Sequence, residues 1–260
     1  MDLNRELGVA GRIEVGGVPE GVDARLIAGL VRARPGRPVL HIARDDTRLA
    51  RVCEALAFFA PEVEAVALPA WDCLPYDRVS PNPEILARRI DALTRLAATQ
   101  APAAGRVVVS TVAGVLQRLP TRDVFKAAVR HLVKGSRANV NEVVEFLRHT
   151  GYRRSDTVRE AGEFALRGGI LDVFPPGAAE PLRLDFFGDE IDGIRSFDPM
   201  TQLTTGKHDA VMFQPVSEAM LDPASIQRFR SGYRGAFGAD TADPLYEAVS
   251  AGRHHAGMEH

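Results

Sequence analysis

Two periods alternate along the first 120 positions. Short β-rich runs at residues 12–15, 38–43, Glu64–Leu68 and Arg106–Thr111 predict strands. Between them the apolar positions step by three or four. Leu26, Ile27, Leu30 and Val31 predict a helix over residues 24–34. Leu49, Val52, Cys53, Leu56 and Phe59 predict another over Asp46–Phe59. Ile85, Leu86, Ile90, Leu93 and Leu96 predict a third over Pro83–Ala97. Strands alternating with amphipathic helices predict a parallel α/β sheet, and the run Val107-Val108-Val109-Ser110 suits a strand covered on both faces.

Past Phe125 the pattern changes. A helix is predicted over residues 141–150, with Asn139 or Asn141 as its cap. Strand-like runs follow at Glu163–Arg167, 169–174, Leu182–Phe187, 191–198 and Ala210–Phe213. Pro175-Pro176-Gly177, Gly188-Asp189 and Asp192-Gly193 serve as turns of an antiparallel meander, so a small α+β domain is expected. Helical spacing returns from Asp222, through Ile226, Phe229 and Tyr233 and then Leu245, Tyr246 and Val249. The last residues carry no capping signal, which reads as truncation of a longer chain. The expected domains are 1–122, 123–214 and a helical segment, 215–260, returning to the first.

A chain of 260 residues accommodates two domains, or one with an insertion. Its 45% hydrophobic and 25% charged residues are ordinary for a globular protein. A formal net charge of -2 argues against an overall electrostatic grip on nucleic acid and leaves a local basic face open. Cys53 and Cys73 are too few for a disulfide framework or a zinc site and read as buried or half-buried thiols. The histidines form no HExxH pattern, and metal binding is not expected. The N-terminus lacks a signal-peptide layout and no apolar run reaches membrane-spanning length, so a cytoplasmic location is expected.

The run 12–15 leads into Gly16-Gly17-Val18-Pro19-Glu20-Gly21-Val22-Asp23 and then a helix. Strand, glycine-bounded turn and helix is the layout of a phosphate-cradling loop, and Gly16 and Gly21 have its spacing. Val22 stands where a lysine would meet the phosphates, and Asp23 where a hydroxyl would ligate magnesium. A free helix N-terminus attracts an anion by roughly 0.3–1 kcal/mol. A carboxylate about 4 Å from a phosphate costs roughly 1–4 kcal/mol, so Glu20 and Asp23 cancel that attraction. The turn reads as a plain strand-to-helix connection with no cofactor and no catalytic residue. Asp189-Glu190 resembles an acidic nucleotide-site pair but falls in a predicted hairpin turn.

Two stretches are more specific. One runs from Leu68-Pro69-Ala70-Trp71-Asp72-Cys73-Leu74-Pro75-Tyr76-Asp77 through Ser80-Pro81 to Arg88-Arg89. The other begins at Gly151-Tyr152-Arg153-Arg154 and contains Gly162-Glu163-Phe164-Ala165-Leu166-Arg167-Gly168-Gly169-Ile170-Leu171-Asp172-Val173-Phe174-Pro175. It continues through Leu182-Arg183-Leu184-Asp185-Phe186-Phe187-Gly188-Asp189-Glu190-Ile191-Asp192. Together they resemble the N-terminal, UvrB-homology module of the bacterial transcription-repair coupling factor family (Mfd), and more distantly the matching region of the excision-repair protein UvrB. The likeness covers residues 39–249.

The resemblance implies an α/β fold: a helicase-like parallel-sheet domain with a degenerate P-loop, carrying an inserted small α+β domain of antiparallel strands. It implies that the second domain docks onto UvrA, the damage-recognition ATPase, and that the fragment itself is not an enzyme. Contacts with RNA polymerase, and DNA translocation with ATP and magnesium, would belong to other parts of the parent chain. UvrB-like proteins carry an aromatic hairpin after the tyrosine-rich segment; here Tyr76 is followed within a few residues by the helix Pro83–Ala97, leaving no room for it.

By the resemblance the UvrA-facing surface lies on residues 152–174, with Arg153, Arg154, Arg167, Phe174 and Glu163 as its members. Alternation along Glu163–Arg167 turns Phe164 and Leu166 inward and Glu163 and Arg167 outward. An exposed arginine beside an aromatic is a common interface anchor, although a solvated strand face with Phe174 in the core has the same pattern. Trp71 and Tyr76 suit either a base-stacking platform or a loop anchor, and the anchor is the simpler reading. Arg88 and Arg89, with Glu84 and Asp91 nearby, suit ion pairing along one helix. Two rival functions remain: a UvrB-type ATP-dependent helicase subunit, distinguished by ATP turnover, and a non-specific DNA-binding domain, distinguished by steep salt dependence.

Overall fold

A computed structural model describes residues 11–74, 77–98, 102–238 and 242–259. It is a mixed α/β structure with a parallel sheet and two separate sheets rich in antiparallel pairs. The described residues form two compact units. One holds the chain up to Trp71 together with Arg95–Leu119; the other holds Asp72–Thr94 and the chain from Pro120 onward. Residues 215–259 thus group with the second unit, whereas the sequence pattern returns them to the first.

In the first unit, helix α1 (Val22–Ala33), strand β1 (Val39–Ala43), helix α2 (Asp46–Phe59) and strand β2 (Glu64–Leu68) come first. The remainder is the end of helix α3 (Pro83–Ala97), strand β3 (Arg106–Thr111) and the short helix α4 (Val112–Leu116). The sheet is parallel in the order β1-β3-β2, with Val39 opposite Val107 and Ala65 opposite the same residue on the other side. As the central strand, β3 is buried almost throughout, which accounts for its unbroken apolar run. Ala24, Ile27, Ala28 and Val31 of α1 and Leu49, Val52 and Leu56 of α2 pack with Val107 and Val109 in one core. Asp45 caps α2 by accepting the Arg48 amide at 2.7 Å.

Residues 12–15 are not a strand: they are irregular and exposed, so the turn expected to connect a strand to a helix has no strand leading into it. An isolated β-rich tetrapeptide has no ladder to join, and Ile13 and Val15 stay 42% and 43% exposed. The turn before α1 is tied locally. The Asp23 carboxylate accepts the amides of Gly21 at 3.0 Å and Ala24 at 2.9 Å and pairs with Arg48. Glu20 meets Arg51 at 3.0 Å. Both acids are therefore engaged by arginines, and Asp23 by the helix start as well.

The second unit begins with most of α3 and adds helix α5 (Arg122–Ala127), strand β4 (Arg130–Val133) and helix α6 (Val140–His149). Strands β5 (Arg153–Arg154), β6 (Glu163–Arg167), β7 (Ile170–Val173), β8 (Leu182–Phe187), β9 (Glu190–Phe197), β10 (Thr204–His208) and β11 (Ala210–Phe213) follow, then helices α7 (Pro223–Phe237) and α8 (Pro244–Ser250). Six strands form one sheet in the order β10-β9-β8-β7-β6-β5, antiparallel except where β5 runs parallel to β6. Strands β4 and β11 pair separately. Asn139 caps α6, its side chain accepting the Asn141 and Glu142 amides. One face of the large sheet, with Phe164, Leu171, Val173, Leu184 and Ile194, packs with Val143 and Leu147 of α6.

Asp192-Gly193 is not a turn. Asp185 pairs with Gly193 and Phe186 with Ile191, so Asp192 is the extra residue of a bulge inside β9. Glycine suits the position because a side chain there would approach the Asp185 carboxylate, at 3.3 Å from its Cβ. The predicted hairpin at Gly188-Asp189 is present, with Glu190 opening β9. Gly168 turns the β6–β7 connection with φ at 61°, and a Cβ on Gly169 would lie 2.6 Å from the Phe186 carbonyl oxygen. The paired glycines of the Arg167-Gly168-Gly169 motif thus have separate reasons: a left-handed turn and a close backbone approach.

A charged sheet face as the candidate functional site

Register places the predicted site residues in rows on the sheet face opposite the α6 core. Arg153 lies opposite Glu163, and the Phe174 amide donates to the Glu163 carbonyl at 2.9 Å. The next row is Ala165, Asp172, Arg183 and Arg195; the third is Arg167, Ile170 and Asp185. Arg153, Glu163, Phe174 and Arg167 therefore share one face. Arg154 does not: it pairs with Phe164 and alternates to the other side, exposed because β5 is the sheet edge. Its guanidinium has no ion pair among the described residues.

Arg167 is exposed as expected, but Glu163 is not. Its side chain is 11% exposed, because its carboxylate closes the loop before β6. One oxygen accepts the amides of Arg159 at 3.0 Å and Glu160 at 3.1 Å; the other meets Arg153 at 3.1 Å. Alternation gives the face of a residue and not the loop that covers it. Burial is the largest single influence on this carboxyl and works to raise its pKa. The two amides and the arginine together outweigh burial and hold it below the ordinary glutamate value.

A depressed folded pKa adds stability above the unfolded value, and that stability is lost as pH falls through the folded value. The Arg159 and Glu160 amide proton shifts are expected to step together at a pH below the ordinary glutamate value. Glu163→Gln is expected to abolish the step. A midpoint at or above the ordinary value would refute the assignment.

Phe174 is half-buried, packed against Val158, Ala165 and Phe197, so its ring serves a small core on this face. Tyr152, at the start of the predicted surface stretch, is buried and donates its hydroxyl to the Gln214 carbonyl at 2.8 Å. Burial pushes its hydroxyl pKa up.

The structure also brings in residues the sequence reading passed over. Asp172 is fully buried and lies between two arginines. Arg183 grips it with two bonds, Nε to Oδ1 at 2.7 Å and a terminal nitrogen to Oδ2 at 2.9 Å; Arg167 reaches Oδ2 at 2.8 Å. The Arg183 guanidinium stacks over the Phe197 ring at 4.5 Å. Arg183 and Arg195 stand opposite each other in the ladder, a repulsive pairing relieved by Asp172 on one and Asp185, at 2.7 Å, on the other. The alternation Leu182-Arg183-Leu184-Asp185 carries the signal for this row, but their pairing depends on strand order.

Arg89 is another correction. Instead of pairing along its own helix, it is fully buried and meets Glu218 through two bonds of 2.5 and 3.0 Å. Arg88 is exposed, Trp71 is half-buried, and Tyr76 lies outside the described residues. Burial raises the thiol pKa of Cys53 and of Cys73, aided by neighbouring acids, and both are half-buried. Among the described residues no group of three or more His, Cys, Asp or Glu is placed to hold a metal ion, and no helix is long and apolar enough to cross a membrane.

Residues 131–218, which contain the charged face, match the family described as the UvrB interaction domain. The chain is 34% identical over 250 residues to the transcription-repair-coupling factor of Haemophilus influenzae, covering 95% of this chain and 21% of that protein. It is 35% identical over 239 residues to that of Escherichia coli, covering 91% and 20%. With the Bacillus subtilis factor it shares 26% identity over 256 residues, covering 93% and 21%. The chain spans about a fifth of the length of these curated relatives. Residues 131–218 thus match the UvrB interaction domain, on a chain similar along most of its own length to the transcription-repair-coupling factors.

Proposed function

We propose that this chain is a non-catalytic docking module that binds UvrA and brings it to stalled RNA polymerase in transcription-coupled nucleotide excision repair. The observation that carries this reading is the match of residues 131–218 to the UvrB interaction domain, on a sheet with one face lined by Arg153, Arg167 and Phe174. The exposed guanidiniums of Arg153, Arg154 and Arg167 suit carboxylates of a protein partner. Glu163 supports the surface from beneath. The first unit is read as a helicase-like lobe without ATPase activity, its Gly16–Asp23 turn held by its own acids and arginines. Polymerase binding and ATP- and magnesium-driven translocation on DNA are assigned to other regions of a longer cytoplasmic parent protein.

Calorimetric titration of purified UvrA with this chain tests the reading. The unmodified chain is expected to bind. Arg167→Ala is expected to weaken binding by about 1–3 kcal/mol, the range of an interface anchor. Folding should be little affected, since Asp172 keeps both bonds from Arg183. No binding by the unmodified chain defeats the proposal; unchanged affinity of the variant removes Arg167 from the site.

A further inference from the structure

We infer that Asp172 is a positioning residue for the site: fully buried and clamped by Arg183, it holds Arg167 in place to receive a carboxylate of the partner. The inference rests on the docking reading above and adds to it a buried group that does not itself touch the partner.

The register makes the arrangement specific. Arg167 lies opposite Ile170, while Asp172 lies opposite Ala165, so the Arg167–Asp172 contact is a diagonal one across β6 and β7. Diagonal neighbours in a ladder are about 7–8 Å apart at Cα, within reach of a long side chain that lies across the sheet. Arg167 does so, and its side chain remains 53% exposed while that of Asp172 is 1% exposed. Asp172 cannot move toward solvent to follow Arg167. Both its oxygens are fixed by the Arg183 fork, and Arg183 is itself wedged against Phe197.

Charge completes the case. One carboxylate shared by two guanidiniums leaves the triad with a surplus positive charge, and its exposed end is Arg167. Only one terminal nitrogen of Arg167 is committed, to Asp172; the other donors of its planar fork make no hydrogen bond among the described residues. The chemistry that fits this open edge is an aspartate or glutamate side chain, received by a guanidinium whose orientation is set before binding. Holding a long side chain in advance removes an ordering cost from the binding step.

Asp172→Asn keeps the shape of the group and removes its charge. It is expected to weaken UvrA binding about 3- to 10-fold, the cost of immobilising one arginine side chain on binding. In an Arg167→Ala background the same substitution is expected to change affinity less than about 2-fold, since a residue acting through Arg167 has nothing left to orient. An equal loss in both backgrounds marks a merely structural role and overturns the inference.

Side-chain nitrogen-15 relaxation at Arg167 Nε gives a readout independent of UvrA. The order parameter should fall in Asp172→Asn, and an unchanged value overturns the inference even where the docking reading stands or falls by itself. If the single variant does not fold, Asp172→Asn with Arg183→Met removes the half-buried cation as well, and is measured the same way with the same outcomes.

Discussion

Glu218→Ala is expected to destabilise the second unit by about 3–5 kcal/mol, the cost of removing one member of a buried ion pair. The Arg89 side chain is fully buried and that of Glu218 only 5% exposed, so the two charges meet largely out of water. The bidentate contact repays their desolvation while both are present. Removing the carboxylate takes the anion away from a fully buried guanidinium. By the same physics, replacing both residues with apolar ones of similar volume is nearly neutral. Arg89→Met with Glu218→Leu should therefore recover most of the loss. Denaturant dependence of amide exchange in β6 to β9 reads the stability of this unit directly. A loss below about 1 kcal/mol for Glu218→Ala would show that water or other groups satisfy Arg89.

The pair also bears on where the second unit ends. Glu218 is the last residue of the match to the UvrB interaction domain, and Arg89 lies outside that match, on α3. The last residue of the matched segment is thus joined by a buried ion pair to an arginine 129 positions earlier in the chain. Expressing residues 131–218 alone would leave Glu218 without Arg89, although as an exposed carboxylate it would incur little penalty. Cutting the chain so as to keep α3 and lose Glu218 is the worse choice.

Phe164→Ala is expected to cost about 3–5 kcal/mol, as for a large buried aromatic with no room to collapse. Phe164 is fully buried at the meeting of β5, β6 and β7, with Arg154 on one side and Val173 on the other in the ladder. It packs in the core that joins the sheet to α6. Phe187, the final aromatic of the Leu182–Phe187 strand, is 85% exposed, and Phe187→Ala should change stability by no more than about 0.5 kcal/mol. The two substitutions delete the same atoms, so the difference between them isolates burial. Equal effects, read by amide exchange in β6 and β7, would contradict the register that turns Phe164 inward.

Much of this was legible in the chain. Helices Asp46–Phe59 and Pro83–Ala97 and strands Glu64–Leu68, Arg106–Thr111, Glu163–Arg167, Leu182–Phe187 and Ala210–Phe213 have the bounds their periodicity predicts. The Val107–Ser110 run implied a strand covered on both faces, and β3 is buried almost throughout at the centre of its sheet. The strands that escaped notice are short or polar. β5 is only two residues long, and β10, Thr-Thr-Gly-Lys-His, is an edge strand with no apolar face to alternate. In the other direction, residues 12–15 have strand composition without a ladder to join. Composition reports what a segment tolerates; a strand exists only where a neighbour completes its hydrogen bonds.

The site divides in the same way. The sequence alone determined which residues carry charge, that Arg167 alternates away from Phe164, and that the glycines after it permit a tight connection, because those properties are local to two or three residues. Tertiary structure alone decided that Glu163 is sealed under a loop, that Arg153 and Arg154 form an edge strand paired with β6, and that Asp172 sits between Arg167 and Arg183. It also paired Arg89 with Glu218. Each of these depends on strand order, loop closure or a contact across many residues, and the free energy of a charge is set by what surrounds it after folding rather than by its neighbours in the chain.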